Sequence, residues 1–321
     1  MYLNHAETDP HQDLADQLYM VGKNSSNGLS EKIAQPAMTT VTEQAYCELY
    51  ASQLFKGNGE MIELGCWLGS LTKSLAEGLL KNEFFKDKRQ LIEVMDYFKW
   101  DVVMEDWVVG TRFENRVDIG GNFQFLYREA VSNILNMVNI TQADLSKYQW
   151  SGKPIEFLLI DCMKRFEIAD NVARTFFPSL IPNDSYVVHQ DYLHFYHSWI
   201  HILMFRFRKW ITPLLIVPRS STVVFKCVGQ ITNEFISYPE NFAQISTEEI
   251  CAAFDWNFNF LNNTSHDAIA AAKVSAFIHK GEMETARGLY KNYISKYAHN
   301  SDHFDQMYNF YKQFDIIDLR E

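Results

Sequence analysis

The chain has 321 residues, 47% hydrophobic, 15% aromatic and 21% charged, with a formal net charge of −11. Such a composition can bury a large core and excludes a chain disordered throughout. The acidic balance repels phosphate backbones, so nucleic acid is not an expected partner.

The densest basic patch, Arg206, Arg208 and Lys209, reads first as a solvated helix face. Five cysteines (Cys47, Cys66, Cys162, Cys227 and Cys251) form no CxxC, so neither a zinc site nor a disulfide framework is signalled. The start, MYLNHAETDP, lacks the basic and apolar regions of a signal peptide. The longest apolar runs are strand-sized. The expectation is a cytoplasmic protein with no membrane partner.

Residues 1–45 are polar and read as an N-terminal arm or lid with one or two short helices. Residues 43–56 have helical periodicity and stop at Gly57-Asn58-Gly59. Strand-like runs then alternate with helical ones. The strands are MIEL (61–64), LIEVMD (91–96), MVNI (137–140), PIEFLLID (154–161) and SYVVHQD (185–191). The helices are 70–81, 123–136, 164–180 and the aromatic-rich 193–210. LLIVP (214–218) and STVVFKCV (221–228) read as a closing antiparallel hairpin. The alternation predicts a mostly parallel, doubly wound α/β sheet, with ligands beyond the C-terminal strand ends.

Residues 231–321 contain no convincing strand and read as a helical C-terminal extension, with helices over about 246–261, 266–280, 282–298 and 302–314. Ala268 to Ala298 has the small-residue spacing of one tetratricopeptide-like pair, but arrays need about three units. A cap packed on the preceding domain, 46–230, or on a second subunit is the favoured reading.

The run Glu63-Leu64-Gly65-Cys66-Trp67-Leu68-Gly69-Ser70-Leu71-Thr72 follows a strand and opens a helix. Gly65 permits a sharp turn, and Gly69 would let the helix start approach a ligand. Trp67 stands where the dinucleotide fingerprint needs its second glycine. That substitution argues against a pyrophosphate cofactor and for S-adenosylmethionine, which has none. Glu63 would accept from an ammonium group, Asp96 would take ribose hydroxyls, and Asp144 would lie beside adenine.

This run, with FLLIDCMKRFE and YVVHQDY, resembles class I S-adenosylmethionine-dependent methyltransferases, and within them the macrocin- and catechol-type O-methyltransferases. The resemblance covers roughly 40–228 and implies a Rossmann-like fold with a terminal antiparallel strand. It implies cofactor contacts from Glu63, Gly65, Trp67, Gly69, Ser70, Thr72, Asp96 and Asp144. It also implies Mg2+ held by an acid after the fourth strand and an acidic pair after the fifth. Asp161 matches the first acid and Asp191 the second of the pair, but Gln190 replaces the other. A metal, if used, would be held by Asp161, Gln190 and Asp191, and an amide oxygen is the weaker ligand.

Lys164, at D-x-x-K spacing from Asp161, matches the family's catalytic lysine. His189 and His194 are alternative bases, since histidine suits proton transfer near neutrality. His194, His197 and His201 share one face only if the following helix begins early. Tyr192, Phe195, Tyr196 and Trp199 read as core first and acceptor pocket second. The expected activity is methyl transfer to an oxygen of a small-molecule acceptor, such as a natural product, sugar or phenol. Metal-free methylation of a peptide carboxylate, or a non-catalytic interaction role, are the alternatives. A homodimer through the tail or the 193–210 helix is also expected.

Overall fold

The computed structural model describes residues 10–24, 36–232, 241–261, 265–297 and 302–313. Most of the polar stretch 24–30, assigned above to the N-terminal arm, lies outside them, as does the end of the last predicted helix. Among the described residues seven strands form one sheet. They are β1 (Glu60–Leu64), β2 (Ile92–Asp96), β3 (Val138–Gln142), β4 (Ile155–Ile160), β5 (Tyr186–His189), β6 (Ile211–Ile216) and β7 (Val223–Cys227). Their order is β3-β2-β1-β4-β5-β7-β6. The first five pair in parallel, and β7 runs antiparallel to both β5 and β6. The expected Rossmann-like doubly wound fold with a reversed terminal strand is present.

Successive side chains on a strand face opposite sides, and this splits the core. On β4, Leu158 and Ile160 join one apolar cluster while Phe157 and Leu159 join the other. The Phe157 side is covered by α1 (His11–Asn24), α2 (Val41–Leu49), α3 (Ser70–Lys81) and α4 (Gln124–Ala130). The Leu158 side is covered by α5 (Phe166–Phe176) and α6 (Ser198–Phe207). The C-terminal helices α7 (Thr247–Phe260), α8 (His266–Lys280), α9 (Met283–Lys296) and α10 (Asp302–Gln313) extend that second cluster. The α8–α9 pair turns at Gly281, and α8 is buried along most of its length. It behaves as the favoured cap rather than as a repeat unit.

Three helices differ from their predicted spans. The helix expected over 123–136 stops at Ala130 and continues as a 3-10 segment, Ser132–Met137. The one expected over 164–180 starts at Phe166, because Arg165 is still extended. The one expected over 193–210 starts only at Ser198. Before it the chain bends twice, with the His194 amide donating to the Asp191 carbonyl at 3.1 Å and the Ser198 amide to that of Tyr196 at 2.9 Å. His194, His197 and His201 therefore do not share a helix face. Tyr192, Phe195 and Trp199 are buried core residues, as the favoured reading had them. Among the described residues no helix is long and apolar enough to cross a membrane.

The loop before β1 is fixed from β4. The buried Glu156 carboxylate accepts from the backbone amides of Lys56 and Asn58, both at 2.6 Å. Hydrogen bonds to a charged group contribute about 1.5–3 kcal/mol. Replacing Glu156→Leu should cost that amount in urea unfolding, with Glu156→Gln losing less because one acceptor survives.

Candidate active site

The strand order reverses between β1 and β4, which opens the ligand crevice of a doubly wound sheet at their carboxyl ends. Gly65 leaves β1 with φ +84°, and a Cβ there would lie 2.7 Å from the Asp161 carbonyl oxygen. No other residue fits so close an approach. Trp67 follows at φ +44°, a left-handed conformation that strains a tryptophan. Its indole Nε1 is buried without a hydrogen-bond partner among the described residues. Gly69, at φ +80°, leads into α3, whose N-terminus carries no side-chain cap. A Cβ on Gly69 would meet Val131 Cγ1 at 2.5 Å, so this glycine makes room for the protein's own α4 region.

Asp96, at the end of β2, closes the turn. Its Oδ2 accepts from the amides of Cys66 at 2.9 Å and Trp67 at 3.3 Å, and Oδ1 from Phe98 at 2.7 Å. Burial pushes its carboxyl up against these bonds. Glu63 and Thr72 lie behind the turn, both buried. The Thr72 hydroxyl donates to Glu63 at 2.5 Å and accepts from Tyr127 at 3.3 Å. Burial raises the Glu63 carboxyl to about 8. Ser70 pairs its hydroxyl with that of Thr39 at 2.9 Å. Asp144, past β3, is half-buried and accepts from the Ser146 hydroxyl at 2.6 Å, which lowers its pKa.

On the other flank, Asp161 follows β4 and Asp191 follows β5. Lys164 joins them: its Nζ lies 2.7 Å from Asp161 Oδ1 and also donates to Asp191 Oδ2. Partial burial works against the lysine's charge, but the two carboxylates override it and hold the ammonium above its usual range. Burial drives Asp161 up to about 7. For Asp191 burial acts in the same sense, yet the ammonium wins and holds it below the usual carboxylate range.

The expected magnesium set does not fit these positions. The charge between Asp161 and Asp191 is already supplied by Lys164, and Gln190 is neutral, its Oε1 buried without a hydrogen-bond partner among the described residues. Among the described residues no group of three or more His, Cys, Asp or Glu is gathered to hold a metal.

His189 sits on β5 with both ring nitrogens buried and without a hydrogen-bond partner among the described residues, and burial lowers it to about 3. It is sealed between the rings of Tyr192 and Phe225, away from any acceptor. His194 faces a cavity of about 1040 Å³. Its Nδ1 accepts the Tyr196 amide at 3.3 Å, which assigns the neutral ring's proton to Nε2.

That cavity was only partly legible. Its walls include Thr40, Glu43, Asp191, His194, Ser265 and His303. A pocket roofed by the N-terminal arm and the 193–210 helix was expected; Asp16 and Tyr19 of the arm and Leu193 and His194 do line it, and the tail adds Ala268 of α8 and Gln306 of α10. Glu43 is the residue the sequence reading missed. It accepts from Thr222 Oγ1 at 2.5 Å and from the Thr40 amide at 2.6 Å. The available signal was Thr40-Val41-Thr42-Glu43, the spacing of a capping box.

No protein-family model and no curated protein matches the chain. Among solved structures it is similar to the O-methyltransferase NovP, at 16% identity over 60% of this chain and 82% of that one, with a TM-score of 0.47. It is similar to the TDP-rhamnose 3′-O-methyltransferase of calicheamicin biosynthesis, at 14% identity over 68% and 95%, with a TM-score of 0.44. Coclaurine N-methyltransferase bound to N-methylheliamine and SAH matches at 12% identity over 85% and 83%, with a TM-score of 0.28. Likenesses this distant carry no argument for function, which must come from the site's own residues.

His189 gives the site a pH signature. Its native pKa near 3 lies below the unfolded value of about 6.5. Its contribution is therefore complete above pH 6.5 and is lost as pH falls from there toward 3, by about 1.4 kcal/mol per unit. His189→Leu should be at least as stable as the parent at pH 7.5. Its urea midpoint should fall less steeply with acid below pH 6.5; parallel pH profiles would contradict the sealed, neutral ring.

Proposed function

We propose that the chain is a class I S-adenosylmethionine-dependent methyltransferase acting on a hydroxyl of a small-molecule acceptor. The observation that carries this reading is the strained turn Gly65–Gly69, closed by Asp96, with the orphaned Trp67 indole and the uncapped start of α3 beside it. An amino-acid carboxylate fits that pair of features: backbone N–H groups at a helix start favour an anion, and a buried donor without a partner is costly until a ligand accepts from it. In this reading Asp96 would hold ribose hydroxyls, Asp144 would take the adenine side, and Ser70 would flank the helix start. Glu63 and Thr72, tied to Tyr127, keep the turn in shape from behind.

The cofactor supplies an electrophilic methyl carbon on a sulfonium when bound. Asp161 stands against the Gly65 turn, and a carboxyl near 7 is well matched to accept a proton at neutral pH. With the methyl donor bound, Asp161 would take the acceptor O–H proton as the oxygen attacks the methyl carbon and the thioether leaves with its electron pair. Lys164, held charged, is no base here; it sets the position and charge of Asp161. His194 Nε2–H is a donor that orients an acceptor oxygen.

The cavity gathers Asp16, Glu43 and Asp191 among hydroxyl and amide groups. Three acids against one arginine, Arg219, disfavour a carboxylate acceptor, and walls that also include Met38, Leu193, Ile216, Val217 and Pro218 suit a hydroxyl-bearing molecule with an apolar body. The tail helices help to wall it, so they take part in acceptor binding rather than forming a separate module.

Calorimetry with S-adenosylhomocysteine should show one site per chain. Asp96→Ala should weaken that site about 10–100-fold, the equivalent of losing one or more charge-assisted bonds. If the intact protein binds neither S-adenosylmethionine nor S-adenosylhomocysteine, the reading is wrong.

A further inference from the structure

We propose that Lys164 is the resident cation of a two-carboxylate seat, and that its ammonium both replaces a divalent metal there and keeps one out. Asp161 and Asp191 stand at the ends of neighbouring parallel strands, which sets their carboxylates side by side. Lys164 lies three residues after Asp161, in the loop before α5, and its Nζ reaches both. His197 Nδ1 lies 3.7 Å from Asp191 Oδ2, beyond hydrogen-bond distance.

The seat therefore holds two carboxylates and one ammonium. A divalent ion bound to the same oxygens would sit within a few ångström of Nζ, where like charges repel strongly at low effective dielectric. Gln190 lacks the extra negative charge that would offset the repulsion. An ammonium also has three donors. Two are spent on the carboxylates, and the side chain is half exposed, which leaves one for a ligand oxygen. The purpose given to this charge rests on the methyl-transfer reading above; its occupancy of the seat does not.

Mn2+ titration followed by electron paramagnetic resonance on the full chain tests the proposal. The intact protein should leave the free-ion signal unchanged. Lys164→Ala should bind one Mn2+ at least tenfold more tightly, and adding Asp191→Asn should abolish that gain. Lys164→Met, which keeps the apolar stem, serves as a second variant if the alanine form does not fold. Stoichiometric Mn2+ on the intact protein that Asp191→Asn removes would overturn the idea. So would folded Lys164 variants that bind no better than the parent. S-adenosylhomocysteine calorimetry on the same preparations keeps the two readings apart, since its failure touches the methyl donor and not the seat.

Discussion

The site depends on one steric constraint, the approach of the Gly65 backbone to the Asp161 carbonyl. A single added carbon would sit 2.7 Å from that oxygen, so the turn after β1 and the end of β4 can meet only if residue 65 has no side chain. The Asp161 amide donates back to the Leu64 carbonyl at 2.8 Å, which extends the ladder one step past both strands. That contact fixes where β4 delivers Asp161, and with it where Lys164 and Asp191 can converge. The glycine turn and the acid seat are thus two sides of one backbone junction.

The strands were legible because each buried run is short, apolar and bounded by polar or turn residues, and the β-hairpin showed itself in the same way. Helix starts were harder. Residues 190–197 (QDYLHFYH) are as aromatic as the helix that follows, so periodicity alone extends that helix backward. The chain instead turns there, and the turn is what brings Asp191 to Lys164 and His194 to the cavity. Local pattern cannot see a bend that is held by contacts between distant elements.

The same limit governs the site residues. Gly65, Asp96, Asp161 and Asp191 were legible from their places at strand ends. Glu43 was not, because its importance comes from Thr222, 179 positions away. The role of Lys164 depended on geometry as well. Spacing identifies it with a catalytic lysine, but spacing does not say that two carboxylates flank the ammonium. Once they do, a neutral amine costs more than the charged one, and Lys164 is held as an ammonium.

The tail follows the same packing logic. α8 places Ala268, Ala270, Ala271 and Ala272 in the buried core, and small side chains let a helix lie close against its neighbours. The α6–α7 contact is polar at its centre: Tyr192 donates to Asn257 Oδ1 at 2.5 Å, and the His201 ring meets the same oxygen at 3.2 Å. Buried polar groups of this kind are stable only when matched, so they fix the register of α7 against the sheet domain. With that register set, α8 and α10 carry Ser265 and His303 to the cavity wall. The helices beyond the α/β domain therefore complete a cavity whose other walls come from α1, the start of α2, the chain after β5 and the β6–β7 turn.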